Sequence, residues 1–259
     1  FVQALWAPSG QVDVSAAARV DHNSTFGTFP TGRLAVAWRP DAATVVRAAL
    51  ANGFRAPSLD ERYGNYPGAF PFVGNPALQP ERSVSAEIGV ERTFTGGARL
   101  AATLFLLDTD NLITFVAGAP STLVNRPGVA QRRGVEVEAA LPLGSRAALD
   151  VAYTYTDALQ ASGARLGLVP RHEVSATLRA DVTDRLRAAL SVMHVADRAG
   201  QFGGTAPDYT VASASLRYAV TDRADLYLRI ENLGDAIYEV TPTYGTARRT
   251  VHVGLAARF

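Results

Sequence analysis

Polar and apolar residues alternate with period two from one end of the chain to the other, the mark of strands whose two faces meet different surroundings. At the C-terminal end Val251, Val253, Leu255, Ala257 and Phe259 fall on one face, and His252, Gly254, Ala256 and Arg258 on the other. Between Arg171 and Val182 the split sets Val174, Ala176, Leu178, Ala180 and Val182 against Arg171, Glu173, Ser175, Thr177, Arg179 and Asp181. Val84, Ala86, Ile88 and Val90 likewise oppose Ser83, Ser85, Glu87, Gly89 and Glu91, and Leu226, Leu228 and Ile230 oppose Asp225, Tyr227, Arg229 and Glu231.

Such segments predict about thirteen strands, most near the length that crosses a bilayer and about twice that of strands in soluble sheets. They are Phe1–Trp6, Val12–Asp21, Gly32–Arg39, Thr44–Asn52, Arg82–Thr93, Arg99–Thr114, Arg132–Leu141, Arg146–Asp157, Arg171–Val182, Leu186–Val195, Tyr209–Val220, Asp225–Asn232 and Arg248–Phe259. Short turns (Ala7–Gln11, Pro40–Ala43, Phe94–Ala98, Pro142–Ser145, Thr183–Arg185, Thr221–Ala224) alternate with longer loops. The loops are His22–Thr31, Gly53–Glu81, Phe115–Gln131, Ala158–Pro170, Ala196–Asp208 and Leu233–Ala247. Membrane barrels sort their connections this way, short on the periplasmic side and long outside, and this phase puts Phe259 at the periplasmic end. None of the 14 prolines is expected in mid-strand.

Composition narrows the partners. The 259 residues are 47% hydrophobic and carry 25 basic against 24 acidic residues, net +1, so no basic stripe exists to track a nucleic acid. With no cysteine, disulfides, thiolate metal sites and cysteine nucleophiles are excluded. The longest apolar run, Leu100 to Leu107, is interrupted by Thr103 and falls far short of the roughly 20 residues of a membrane helix. A chain of this pattern spans a bilayer only as a closed barrel.

Gly53-Phe54-Arg55-Ala56-Pro57-Ser58-Leu59-Asp60-Glu61-Arg62-Tyr63, followed by Gly74-Asn75-Pro76-Ala77-Leu78-Gln79-Pro80-Glu81-Arg82-Ser83, resembles a hallmark of TonB-dependent outer-membrane receptors. Arg133-Gly134-Val135-Glu136-Val137-Glu138, Pro170-Arg171-His172, and Glu231-Asn232-Leu233-Gly234-Asp235 with Tyr238 are similar to the same family in the same order. His252, Gly254, Ala257 and Phe259 resemble the terminal signal read by the barrel assembly machinery. The resemblance covers nearly the whole chain and is strongest to the cobalamin and catecholate-siderophore branches. It implies an all-β, antiparallel up-and-down transmembrane barrel in the outer membrane of a Gram-negative bacterium, residues 1–259 supplying about 13 of 22 strands. It also implies that the plug, the coupling box that meets the TonB energy-transducing complex and about nine further strands lie outside this sequence.

The function implied is energy-coupled uptake of a metal chelate, a ferric siderophore or cobalamin, with no enzymatic step and no cofactor. The large loop offers Arg62, Tyr63, Tyr66, Phe70 and Phe72 as ligand contacts able to stack on an aromatic chelate or pair with its anionic groups. Beside them, Arg55, Pro57 and Glu61 are better read as fixing the loop's geometry, and Trp38, Tyr153, Tyr155, Tyr218 and Tyr238 as an interfacial girdle. His22, His172, His194 and His252 lack metal-ligand spacing, and Asp108 with Asp110 lacks the glycine and distal glutamate of a calcium loop. Glu87, Glu91, Glu136, Glu138, Arg179 and Arg229 are expected to pair across strands on the lumen side. A passive porin is the alternative reading. An outer-membrane hydrolase is a weaker one, with Ser58 and His172 as its sole candidate pair; Gly200-Gln201-Phe202-Gly203-Gly204 opens no helix and makes no phosphate cradle.

Overall fold

A computed structural model describes residues 1–201 and 203–257, so Phe259 of the terminal signal lies outside the described residues. In chain order the elements are β1 (Val2–Ser9), β2 (Val12–Asn23), β3 (Gly27–Asp41), β4 (Thr44–Arg55), the one-turn helix α1 (Leu59–Tyr63), β5 (Asn65–Tyr66) and β6 (Phe72–Val73). Next come β7 (Glu81–Thr93), β8 (Arg99–Asp110), β9 (Ile113–Val116), β10 (Thr122–Asn125), β11 (Val129–Pro142) and β12 (Ala147–Leu159). The series closes with β13 (Pro170–Asp181), β14 (Leu186–Ala199), β15 (Thr205–Ala206), β16 (Tyr209–Thr221), β17 (Ala224–Glu231) and β18 (Thr250–Ala257). Thirteen of these strands follow one another in the order β1-β2-β3-β4-β7-β8-β11-β12-β13-β14-β16-β17-β18, and β15 pairs with β14 as the fourteenth strand of that antiparallel sheet.

Two compact units can be described. The first holds residues 1–89, 104–133 and 157–165; the second holds 90–103, 134–156 and 166–259. In the second, the register pairs Leu226 with Leu255, Leu228 with Val253 and Ile230 with Val251 on one face, and Arg229 with His252 and Tyr227 with Gly254 on the other. The apolar face is exposed: Val253 is 73% accessible, and Val251 and Leu255 are exposed beside it. In the first unit Leu34 and Leu50 are opposed across β3 and β4 and both are exposed. Surfaces of this kind are costly in water and natural in hydrocarbon. Among the described residues no helix is long and apolar enough to cross a membrane.

Several expected boundaries move outward. The connection expected as a loop over His22–Thr31 is a tight turn, because β2 runs to Asn23 and β3 starts at Gly27. The Asn23 side chain accepts from the amides of Thr25 (2.9 Å) and Phe26 (3.1 Å) and folds the turn locally. Pro30 consequently falls inside β3, against expectation. It is tolerated there because the β3–β4 ladder ends at the Gly32–Asn52 pair, leaving Pro30 laddered on the β2 side only, opposite Val20. Asn52 bridges the lapse, donating to the Pro30 carbonyl (3.1 Å) and accepting from the Gly32 amide (2.8 Å). Expected as one strand, Arg99–Thr114 breaks at Asn111 (φ 58°), after which β9 and β10 form a separate hairpin that takes up Ile113 and Thr114 and runs into the expected Phe115–Gln131 loop.

Candidate functional site

The long Gly53–Glu81 connection is built around one guanidinium. Arg55, at the end of β4, meets Glu81 at the start of β7 through two parallel hydrogen bonds (2.8 and 3.1 Å) and reaches both oxygens of Glu61 at 3.0 Å. Glu81 also accepts the Ile113 amide of β9 at 2.7 Å, so one ion cluster ties three segments. Ser58 caps α1, its hydroxyl taking the Glu61 amide while the Glu61 carboxylate takes the Ser58 amide, which fixes the helix's entry. For Glu61 the desolvation that would raise its pKa is outweighed by the Ser58 amide and Arg55, and it is held below the ordinary carboxylate range. Glu81 is lowered in the same way, with burial opposed by Arg55 and by the Ile113 amide, and Arg55 is raised by Glu81.

From this base the loop folds back on the β9–β10 hairpin. Gly74 passes so close to α1 that a Cβ there would lie 2.6 Å from the Arg62 carbonyl carbon, which explains glycine at that position. Its amide donates to the Gly64 carbonyl at 2.7 Å, and the Asn75 amide to Glu61's carbonyl at 3.0 Å. Asn75 then donates to Leu123, while Asn125 holds Gln79 through both its amide and its carbonyl. Leu78, completely buried, is the plug of apolar packing in the middle. The sequence-expected geometric role of Arg55 and Glu61 agrees with this frame.

The five residues expected as ligand contacts divide. Arg62 is occupied: it donates twice to the Pro76 carbonyl (2.7 and 3.1 Å) and lies over the rings of Phe26 and Tyr63, each at 4.9 Å. Phe72 is half-buried, its ring 5.9 Å from that of Tyr66, and its strand partner is the Tyr66 backbone. Tyr63 and Tyr66 are exposed, the Tyr66 hydroxyl bonded to Asp60, and Phe70 stands 94% accessible at the loop tip. The frame therefore presents Tyr63, Tyr66 and Phe70 as open rings and keeps Arg62 and Phe72 as supports.

A second framed loop, Leu233–Ala247, escaped the sequence reading as a site. Arg198, only 3% exposed at the end of β14, donates to the carbonyls of Val240 (3.0 Å), Glu239 (3.1 Å) and Pro207 (2.8 Å) and lies over the Tyr209 ring. Tyr209 stacks on Tyr238 at 4.7 Å, so Tyr238 is packed within the loop base and departs from the girdle expected for it. Asn232, in the left-handed region at φ 49°, clasps Ala236 and Ala247, which gives a physical reason for the motif around it. Arg248 forks onto Asp235 and, with the Arg249 amide, lowers its pKa to about 2. Leu233, Ile237, Val240 and Tyr244 are exposed apolar residues of this loop.

The remaining candidates fall in varied places. Among the described residues no group of three or more His, Asp or Glu side chains could hold a metal ion. Asp110 is exposed, whereas the Asp108 Oδ1 is buried without a hydrogen bond. The paired charges Arg99–Glu91 (3.3 Å) and Arg179–Asp150 join neighbouring strands as expected, but Arg33 reaches Glu87 (3.3 Å) past the intervening β4 and Arg229 pairs along its own strand with Glu231 (3.2 Å). In the terminal signal, Gly254 leaves room for the Tyr227 ring, which occupies the space a Cβ would need.

The family of TonB dependent receptor-like β-barrels matches residues 1–233. The chain belongs to that family. It is thereby an outer-membrane β-barrel chain. An iron-regulated outer membrane virulence protein of Vibrio cholerae serotype O1 is 30% identical over 261 residues, covering 91% of this chain and 40% of the relative. The vitamin B12 transporter BtuB of Photobacterium profundum is 28% identical over 259 residues, covering 93% and 40%. This receptor-family chain thus spans about two fifths of the length of the curated relatives it matches. Two solved structures share its fold: the siderophore receptor PirA from Acinetobacter baumannii (TM-score 0.80, 19% identity, 99% of this chain and 45% of that one) and the copper transporter OprC (0.83, 17%, 99% and 46%).

Proposed function

We propose that the chain is part of an outer-membrane receptor-transporter that captures a metal chelate, a ferric siderophore or cobalamin, and passes it inward by an energy-coupled step driven by the TonB complex. The observation that carries this reading is the set of open rings Tyr63, Tyr66 and Phe70 on a loop clamped by Arg55, Glu61 and Glu81. The Tyr66 ring, tied to Asp60 through its hydroxyl and set against Phe72, loses little freedom when a planar catechol or corrin stacks on it. Relatives named as an iron-regulated outer membrane protein and as a vitamin B12 transporter support the same class of cargo.

Chemistry on the cargo is no part of the proposal. Ser58 spends its hydroxyl on the Glu61 amide, and His172 spends Nδ1 on the Tyr153 hydroxyl at 2.9 Å, so neither member of the one conceivable hydrolytic pair is poised as nucleophile or base.

Equilibrium binding of a ferric catechol siderophore and of cobalamin, measured by tryptophan and ligand fluorescence on membrane-extracted protein, tests the reading. Tyr66→Ala with Phe70→Ala is expected to weaken the bound cargo about tenfold to a hundredfold, the loss of two stacked rings. Unchanged affinity for both cargoes would remove the loop from the site. Non-selective ion conductance with no saturable binding would favour the porin alternative.

A further inference from the structure

In the second unit the apolar face of the sheet carries a polar row that the chelate site does not use. The registers put Tyr155 opposite His172, His172 opposite Ala196, Val174 opposite His194 and His194 opposite Thr210. These positions share a face with Leu178, Val192, Leu190 and Leu216, all exposed. His172 and His194 therefore stand on the lipid side of the barrel wall, on adjacent strands and in diagonal positions, about 7–8 Å apart. Both histidines share the parity of Val174, Leu178, Leu190 and Val192 around them.

Polar groups facing hydrocarbon are expensive unless partnered, and the row is partnered along one edge of each ring. The Nδ1 of His172 lies 2.9 Å from the Tyr153 hydroxyl, with the Tyr155 ring centroid at 5.3 Å, and the Nδ1 of His194 lies 2.8 Å from the Thr210 hydroxyl. When each hydroxyl donates to Nδ1, Nε2 carries the proton, and no bond to either Nε2 is seen among the described residues. Directly below the row the same face turns wholly apolar at Ala176, Val192 and Ala212, whereas just beyond it the chain enters the long connections. Two N–H donors and two tyrosines at the edge of an apolar band are at the level of lipid headgroups.

We infer that His172 and His194, steadied by Tyr153 and Thr210, form a docking point for the phosphate of an anionic lipid in the outer leaflet. The inference rests on the outer-membrane placement of the barrel and is independent of which chelate it carries. The phosphate oxygens accept from the two Nε2–H groups, while the acyl chains lie along Val174, Val192, Leu178 and Leu190. The site recognises a headgroup at a fixed height and fixes the rotation of the barrel in the bilayer.

Native mass spectrometry of membrane-extracted, delipidated protein tests it, with dimyristoylphosphatidylglycerol as probe and dimyristoylglycerol as the phosphate-free control. The wild type is expected to retain the phosphatidylglycerol about tenfold better than the diglyceride, and H172L/H194L to lose that preference, as expected for hydrogen bonds to a charged group. Should the double variant not assemble, H194L alone gives the same comparison, because its partner Thr210 is exposed and outside the base of the chelate loop. Chelate affinity is measured alongside: a variant that loses the lipid preference and keeps the chelate supports the docking point separately from the transport reading. Equal retention of both lipids by the wild type, an undiminished preference in the variants, or full displacement of the lipid by inorganic phosphate would overturn the inference.

Discussion

Arg55 shows why a loop of nearly thirty residues can act as a rigid part. Its guanidinium satisfies two carboxylates at once, and removing it would leave Glu61 and Glu81 facing each other. Since Arg55 and its partners are partly exposed, solvent screening reduces the loss to about 1–2 kcal/mol of local stability rather than the larger figures of a sealed pair. Arg55→Leu is therefore expected to speed hydrogen exchange at the Ile113 and Ser58 amides about tenfold or more, with the strands unaffected. Acid should act on the same joint. Both glutamates are depressed in the folded state, so their contribution is complete above the ordinary carboxylate range near pH 4.3 and is lost as pH falls through their lower folded values. Exchange at Ile113 is accordingly expected to stay flat from pH 7 to about 5, after correction for intrinsic rates, and to rise below about pH 4. The Asp235–Arg248 fork should outlast it, because Asp235 titrates only at about 2.

At the scale of the strand, the alternation in sequence marked where the bilayer is crossed rather than where pairing stops. Val251, Val253 and Leu255 and their polar alternates were legible from composition of the two faces alone. The continuation of β2 and β3 beyond Asp21 and Gly32 was not, because hydrogen-bonded ladders persist in water, where no selection for apolar alternation acts on Asn23, Thr28 or Pro30. The supports of the candidate site were half legible: the glycine, proline and carboxylate of the long loop stood out as a motif. Its tie to Asn125 and Leu123 did not, since contacts 46 and 48 residues apart leave no local pattern. Arg198 was missed for the same reason. Two strand-level outcomes follow. Gly254→Val should collide with the Tyr227 ring and cost about 1–3 kcal/mol, seen as reduced heat-modifiable mobility on gels, and Tyr227→Ala in the same chain should recover it. Val253→Arg should slow membrane assembly and destabilise the inserted barrel by about 2–4 kcal/mol.

The whole molecule inverts the usual arrangement of a soluble protein. Very few of its described side chains are fully buried, while Leu34 and Leu50 in the first unit, and Leu226, Val251, Val253 and Leu255 in the second, are exposed on one face of their paired strands. That distribution is stable only if a nonaqueous medium meets the exposed face, and both the transport proposal and the lipid phosphate at the histidine row depend on it. The absence of native cysteine allows this to be measured directly. Single cysteines placed in turn from Thr250 to Ala256, omitting Gly254, each carrying a nitroxide, report collision with dissolved oxygen against a water-soluble nickel chelate once the protein is in bilayers. Labels at 251, 253 and 255 should favour oxygen and those at 250, 252 and 256 nickel, with a period of two. A flat profile, or nickel access at 251, 253 and 255, would contradict a lipid-facing wall.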